Sequence, residues 1–427
     1  MKRIMWVFLF LVLGISGVFA QEVSEEKDIA IFKLSYTDWN MPNEALGMVD
    51  QSIQNVFINL GRFNIIGMSY RLKAKDISAF IKKIKEVKSS NIQVPEKVRL
   101  GEETFTEADF NKLAGSFIIV VPVVTYFDLK TDDTGTYAAE METSFTFIKV
   151  DEGRAIASFS IKTTGTDETE KGAVRSAVDD IPLQLSFQIR KIPVFQLKTG
   201  IIDIMGQDVI LELGNNMGVK LGDEFRIMNP LVLPSGHTVE RSSGLLVVKS
   251  VDEDVSTAQI FYASRKPAVG DQLKEVPRLG FESVLYADYI DAYKPVFAVG
   301  IRQILTRGFF SIRPFAGAEV PLGVKDFIIF FPVNAYLGGE LNWYIRRLHI
   351  TPSADIALGM LIPIDKEFQD HVLYSSLGGH ARLTVSFMIS DSLKIFAEGG
   401  YAVMQSMNVL FDSYNGFFAG GGITLKY

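Results

Sequence analysis

From about residue 280 to the end of the chain, hydrophobic and polar positions alternate with a period of two. In the last segment Phe417, Ala419, Gly421, Ile423, Leu425 and Tyr427 share one parity, and Thr424 and Lys426 share the other. Such alternation puts the two sets on opposite faces of a strand. The split recurs upstream. Leu393, Ile395, Ala397, Gly399, Tyr401 and Val403 oppose Lys394 and Glu398; Leu373, Leu377, Ala381, Leu383, Val385 and Phe387 oppose His380 and Arg382. Ile350, Ala354, Ile356, Leu358 and Met360 oppose His349 and Asp355, while Val333, Leu337, Leu341, Trp343 and Ile345 oppose Glu340 and Asn342. No charge falls on the apolar parity of these five segments. A water-soluble barrel would fill its lumen with apolar side chains and turn its charges outward. A membrane barrel inverts that arrangement, because lipid tolerates no charge and a narrow lumen must be packed. Residues 277–427 are therefore expected to form an eight-stranded antiparallel transmembrane β-barrel. A soluble antiparallel sandwich is the competing reading.

The polar parity carries both signs. Glu282, Asp288, Glu319, Glu340, Asp355 and Glu398 can meet Arg302, Arg313, Arg346, Arg382, Lys394 and Lys426. Buried charges persist only when paired, so a plugged lumen laced with ion pairs is expected rather than an open pore. Short turns are expected near residues 306–308, 346–347 and 390–392, and longer links near 323–331, 363–372 and 405–415. Phe281, Phe310, Trp343, Phe387 and Tyr427 gather near the short-turn rim, where an aromatic girdle would sit. The segment resembles a small bacterial outer-membrane barrel with tight periplasmic turns and larger outer loops. Its C-terminal Tyr427 resembles the assembly signal of that class.

Ahead of the barrel the periodicity changes. Residues 28–36 read as a strand. Asn43 then caps a helix whose Leu46, Val49, Ile53, Val56, Phe57 and Leu60 share a face, with Gly61 as its stop. A strand follows at residues 62–66. The next helix turns Ile77, Phe80, Ile81, Ile84 and Val87 inward and Lys82, Lys83, Lys85 and Lys88 outward. Thr106 with Asp109 resembles a capping box for a short helix through Phe110 and Leu113. Residues 117–127 read as a long apolar strand, central in its sheet. A hairpin turning at Asp151-Glu152-Gly153 comes next, then a helix carrying Val174, Val178, Ile181, Leu185 and Ile189 with a kink at Pro182. This is the pattern of an α+β fold on a mixed sheet.

Three stretches here carry a resemblance. Gly61-Arg62-Phe63 after a helix, Ala114-Gly115-Ser116-Phe117-Ile118-Ile119-Val120, and Val150-Asp151-Glu152-Gly153-Arg154 before the last helix are similar to one group of periplasmic modules. The group includes the curli secretion channel, the outer-membrane activators of penicillin-binding proteins and the middle domain of the flagellar assembly protein T. The resemblance covers about residues 28–192 and implies a protein-binding module, not an enzyme. The lipobox cysteine of lipoprotein members is missing, so attachment would fall to the barrel.

Between about residues 195 and 276 the pattern is all-β, with strands expected at 200–203, 208–212, 217–225, 247–251 and 257–260. Ala268-Val269-Gly270-Asp271-Gln272-Leu273 echoes Leu221-Gly222-Asp223-Glu224-Phe225, where glycine permits a tight turn. A small SH3-like barrel fits. Gly218-Val219-Lys220-Leu221-Gly222-Asp223 resembles the C-terminal domain of the flagellar assembly protein T, which implies no catalysis. Pro277 reads as the linker into the last barrel.

Composition narrows the function. The 427 residues have room for about three domains, and a mean hydropathy of +0.19 is high for a soluble chain. Barrel strands account for it without a helical span. A net charge of −7 argues against nucleic acid as a partner. The absence of cysteine removes disulfides, thiolate chemistry and zinc-thiolate sites. Met1-Lys2-Arg3, the apolar run to Phe19 and the small residues before Gln21 read as a cleaved secretory signal. Asp133-Thr134-Gly135-Thr136 matches an aspartic-protease signature, but the chemistry needs two such aspartates and no second copy exists. Asp365, Asp370 and His371 fall on an expected outer loop, and His380 and Ser386 share one inward parity. The four histidines show no metal-ligand spacing. The lysine stripe from Lys82 to Lys88 reads as a solvated helix face.

The chain thus reads as multidomain: a signal peptide (1–20), an α+β periplasmic domain (21–194), a small all-β SH3-like domain (195–276) and an outer-membrane barrel (277–427). Its expected function is non-enzymatic, with no catalytic, cofactor-binding or metal residues. The barrel would anchor protein-binding domains to an envelope assembly: flagellar, cell-wall or secretion machinery. Outer-membrane lipid and periplasmic envelope proteins are the expected partners; self-association is left open. A small channel or transporter with a periplasmic gate, and a lipid-modifying outer-membrane hydrolase, are the alternatives.

Overall fold

A computed structural model describes residues 22–36, 41, 43–90, 96–100, 103–132, 135–323, 330–363, 373–407 and 412–427. The expected signal peptide, Asp133 and Thr134, and Asp365, Asp370 and His371 lie outside the described residues, as does the Lys88 side chain.

The N-terminal part contains strands β1 (Lys27–Lys33), β2 (Ser35–Tyr36), β3 (Phe63–Arg71), β4 (Lys97–Leu100), β5 (Glu103–Thr106), β6 (Ile118–Thr131), β7 (Tyr137–Lys149) and β8 (Arg154–Asp167). Its helices are α1 (Asn43–Asn59), α2 (Ile77–Ser90), α3 (Glu107–Gly115), α4 (Glu170–Asp179) and α5 (Ile181–Lys191). The sheet runs β3-β1-β6-β7-β8, with β1 parallel to β3 and β6, and β6, β7 and β8 antiparallel. It is mixed, and β6 is central. Alternate residues of β1 and β6 feed two cores. Ile29, Ile31, Ile118 and Val120 pack under α1, α4 and α5, whereas Ala30, Phe32, Ile119 and Val121 pack against Phe80 of α2 and Phe110 of α3. A strand buried on both faces needs an unbroken apolar run, and residues 118–124 supply one. The Asp109 amide donates to Thr106 Oγ1 at 3.1 Å, so that cap forms as expected. One expectation fails. The last helix is not kinked but divided at Asp180, because Pro182 has no N–H to donate back and instead sits in the first turn of α5.

Strands β9 (Lys198–Met205), β10 (Asp208–Leu211), β11 (Glu224–Val232), β12 (Thr238–Val251), β13 (Ser256–Ala263) and β14 (Gln272–Val276) form the middle part. They close in the order β10-β13-β12-β11-β14-β9, so the small all-β unit expected here takes the form of a six-stranded barrel. Residues 217–223 are not strand. A 3₁₀ turn at Asn215–Met217 leads into loop, and Gly218 (φ 73°) and Gly222 (φ 79°) hold backbone conformations a strand cannot use. The echo between the two Gly-Asp segments is structural. The Lys220 and Ala268 amides each donate to the carboxylate three residues on, Asp223 and Asp271, both at 2.9 Å.

The C-terminal part comprises β15 (Phe281–Asp291), β16 (Val296–Leu305), β17 (Ile312–Leu322), β18 (Phe330–Leu341), β19 (Trp343–Ile345), β20 (Leu348–Pro363), β21 (Leu373–Met388), β22 (Leu393–Ser406) and β23 (Tyr414–Lys426). Successive strands pair antiparallel, β18 pairs with β20, and β23 returns to β15, which closes a ring of eight; β19 continues β18 beyond Asn342. The tight turns fall where expected. The apolar parity faces outward: Leu337, Ile356 and Phe417 are 70%, 72% and 73% exposed. Glu282, Glu319, Glu340, Glu398, Arg302, Arg313, Arg382 and Lys394 are buried inside. Among the described residues no helix is long and apolar enough to cross a membrane.

Candidate functional site

Inside the large barrel the ionic side chains form two layers. Near the short-turn mouth, Lys394 Nζ donates to both oxygens of Glu282 at 2.9 and 2.7 Å. Arg313 donates to Glu340 at 2.7 Å and to Asn342 Oδ1 at 2.9 Å, and lies 3.5 Å from Glu282. Deeper in, Arg302 meets Glu398 at 3.1 Å and Arg382 meets Asp355. His380 is clamped between Asp355 at 2.8 Å and Glu319 at 3.3 Å. Rings fill the remainder, and the Arg302 and Arg382 guanidiniums lie 5.2–5.8 Å from the ring centres of Tyr286, Phe315, Tyr336 and Phe418. Three side chains depart from the expected lumen set. Arg346 is an exposed turn residue with φ 57°. Lys426 reaches out of the mouth to Glu224 of β11. Asp288 is buried without an ion pair among the described residues.

The mouth itself is closed by the middle barrel. Phe261 of β13 lies 4.5 Å from the Tyr344 ring and 5.0 Å from His349, over a buried cluster of Leu245, Val247, Val276 and Met388. Phe310, expected in an outer girdle, instead packs on Tyr344 at 5.2 Å within this seal. Arg278 fastens the edge: it donates to Glu224 at 3.0 Å, Ser392 Oγ at 2.9 Å and the Asp391 carbonyl at 2.6 Å. Asp391 accepts in turn from Arg226 at 2.8 Å and from the Tyr262 hydroxyl.

A second buried cluster joins all three parts. Arg190 of α5, 1% exposed, donates to Glu275 at 2.6 Å and to Asp223 at 3.0 Å. Arg62 donates to the other Glu275 oxygen at 2.7 Å and to the Phe195 carbonyl at 2.9 Å. Arg307, in a tight turn of the large barrel, donates to Asp223 at 2.8 Å. Glu275 also accepts the Leu197 amide at 3.0 Å. Burial pushes the Glu275 carboxyl up, but Arg62 and Arg190 outweigh it and hold the group down at about 2. Burial likewise works against the Arg190 charge, and Asp223 and Glu275 reverse that and raise its pKa. Glycines let the backbones close on this cluster. A Cβ on Gly218 would lie 1.9 Å from the Leu60 carbonyl, and one on Gly222 would lie 2.1 Å from the Thr306 carbonyl.

No family model matches the chain, and no curated protein matches it in sequence. Solved structures with partial likeness exist. Neisserial surface protein A is 13% identical, with 35% of this chain and 97% of that one covered and a TM-score of 0.29. Lipoprotein GNA1162 from Neisseria meningitidis is 10% identical over 38% and 98% of the two chains, TM-score 0.23. PelC from Paraburkholderia phytofirmans is 14% identical over 39% and 92%, TM-score 0.23.

The structure does not bring the candidate hydrolase pair together. His380 and Ser386 share a face of β21, but six residues of strand separate them by about 20 Å, and Ser386 faces His349 across the ladder. Gly135 and Thr136, the described half of the protease-like signature, lie at the hairpin between β6 and β7. Sequence reasoning missed Arg190, Glu275, Arg278 and Phe261. A signal existed for Glu275: in Gln272-Leu273-Lys274-Glu275-Val276 it shares parity with the buried Leu273. Arg62 and Asp223 were singled out as motif residues, not as partners.

Proposed function

We propose that the chain is a non-enzymatic outer-membrane β-barrel protein that holds its N-terminal α+β part and middle barrel on the periplasmic side, where they bind an envelope assembly. The observation that carries this reading is the inversion of the large barrel: apolar side chains outside, paired charges sealed within. Paired ionic layers across the lumen, and a mouth covered by Phe261, support an anchor over a channel. Connectivity supports this orientation. The middle barrel covers the short-turn end, which in outer-membrane barrels faces the periplasm. Flagellar, cell-wall and secretion machinery are the candidate assemblies, as the resemblance of residues 28–192 implies.

The test is fractionation. A chain cut before residue 277 should appear in the soluble periplasmic fraction, while the full chain pellets with outer membranes. Should the cut chain still pellet, the anchor role fails. Planar-bilayer recording of the purified full chain should show no steady conductance, and steady conductance would favour the channel. In-cell crosslinking from the N-terminal part then identifies the partner.

A further inference from the structure

Beside the sealed mouth lies an open cleft of ≈ 720 Å³ between the middle barrel and the tight turn joining β19 to β20. Four cations line it, Arg265, Lys266, Arg346 and Arg347, and no carboxylate does. Arg265 is spoken for, since it meets Asp271 at 2.5 Å. Arg347 is fixed in place, stacked 4.0 Å over the Tyr262 ring and donating to the Met388 carbonyl at 3.1 Å. Arg346 and Lys266 are exposed, and neither side chain has a hydrogen-bond or ion-pair partner among the described residues. Arg346 also holds φ 57°, where glycine or asparagine would sit with less strain. The cleft has a second wall of different character. Ile345, Leu348 and Phe387, 54%, 36% and 48% exposed, continue the apolar outer face of the large barrel down to the cations.

A cationic cleft that opens onto a lipid-facing wall fits one kind of molecule. We propose that it binds an anionic glycerophospholipid of the leaflet nearest the middle barrel. The phosphate lies among Arg346, Arg347 and Lys266, and the acyl chains run along Ile345, Leu348 and Phe387. Guanidinium forks match phosphate oxygens in geometry and charge. The adjoining Ser264 hydroxyl offers a neutral donor to the headgroup. Basic pockets at the membrane surface recognise anionic lipid in this way. The inference rests on the outer-membrane reading, which its test keeps separate.

The full chain is placed in nanodiscs of phosphatidylcholine containing a minor fraction of phosphatidylglycerol, then re-extracted, and the lipid retained per protein is measured. Wild type should retain phosphatidylglycerol well above its share of the disc. The double variant Arg346→Gln with Lys266→Gln should lower that enrichment about twenty-five-fold, at about fivefold per cation. Its unfolding temperature should not change, because neither side chain is bonded within the fold. Excess inorganic phosphate should displace only a small part of the lipid, since it cannot occupy the apolar wall. Equal retention of both lipids, an unchanged double variant, or complete displacement by phosphate would each overturn the assignment. A chain that will not enter nanodiscs, and stays dissolved without detergent, would instead overturn the membrane reading beneath it.

Discussion

Asp223 accepts Arg190 from one side and Arg307 from the other, and Glu275 accepts Arg190 and Arg62. Removing Glu275 from this set takes the buried counter-charge from Arg62 and one of two from Arg190, and breaking such a buried pair costs about 3–5 kcal/mol. Glu275→Gln should therefore loosen the contact between the N-terminal part and the middle barrel, read as faster proteolysis near residues 193–197. The pH dependence has a definite sign. Folding lowers the Glu275 pKa from the ordinary 4.5 to about 2. Its contribution is full above the unfolded value and is lost as pH falls from there through about 2. Proteolytic resistance of the wild-type junction should hold at pH 5 and above and decline below about 4.5, whereas Glu275→Gln should be flat across that window. At Gly222 the constraint is steric. Alanine would meet the Thr306 carbonyl at 2.1 Å in a backbone conformation of φ 79°. Gly222→Ala should destabilise by about 1–3 kcal/mol, seen as separate unfolding of the two barrels in calorimetry.

Among the elements, the barrel strands were legible because each side chain faces one of two opposed environments, and period two records which. Leu383 and Arg382 are neighbours in β21, one 50% exposed on the outer wall and the other 3% exposed in the lumen. A charge on the outer wall near mid-membrane costs about 2–4 kcal/mol. Leu383→Arg should shift the urea midpoint for folding into vesicles by a corresponding amount, while Leu383→Ile should leave it nearly unchanged. Elements whose order depends on distant contacts were harder to see. The stretch at residues 217–223 has the apolar content of a strand, but Gly218 and Gly222 turn it into the loop that touches both neighbouring parts. The short hairpin of β4 and β5 offers too few residues for a period to register, and its Phe105 is buried by rings from elsewhere, Phe32 of β1, Tyr70 of β3 and Phe80 of α2. The ionic junction was invisible for the same reason: Arg62 and Glu275 stand 213 residues apart, and nothing local in either segment names the other.

For the molecule as a whole, the three parts are tied by charge at two places, the junction around Asp223 and Glu275 and the rim around Arg278, Glu224 and Asp391. A Glu224→Gln, Asp391→Asn double variant removes the carboxylates that hold Arg278 and Arg226 at the rim, and should be cut faster than wild type at the linker near residues 277–279, as read by limited proteolysis.

The double grip on Asp223 has a mechanical consequence. A ball joint needs a face that can slide, and here the same carboxylate is clasped by a helix of the first part and a turn of the last. Pull or torque delivered to the N-terminal sheet would pass through this junction into the barrel wall rather than being absorbed by a swivel. On the proposed anchor reading, a partner docked on the sheet would be held at a fixed height and heading above the bilayer, as cargo on a strut rather than on a tether.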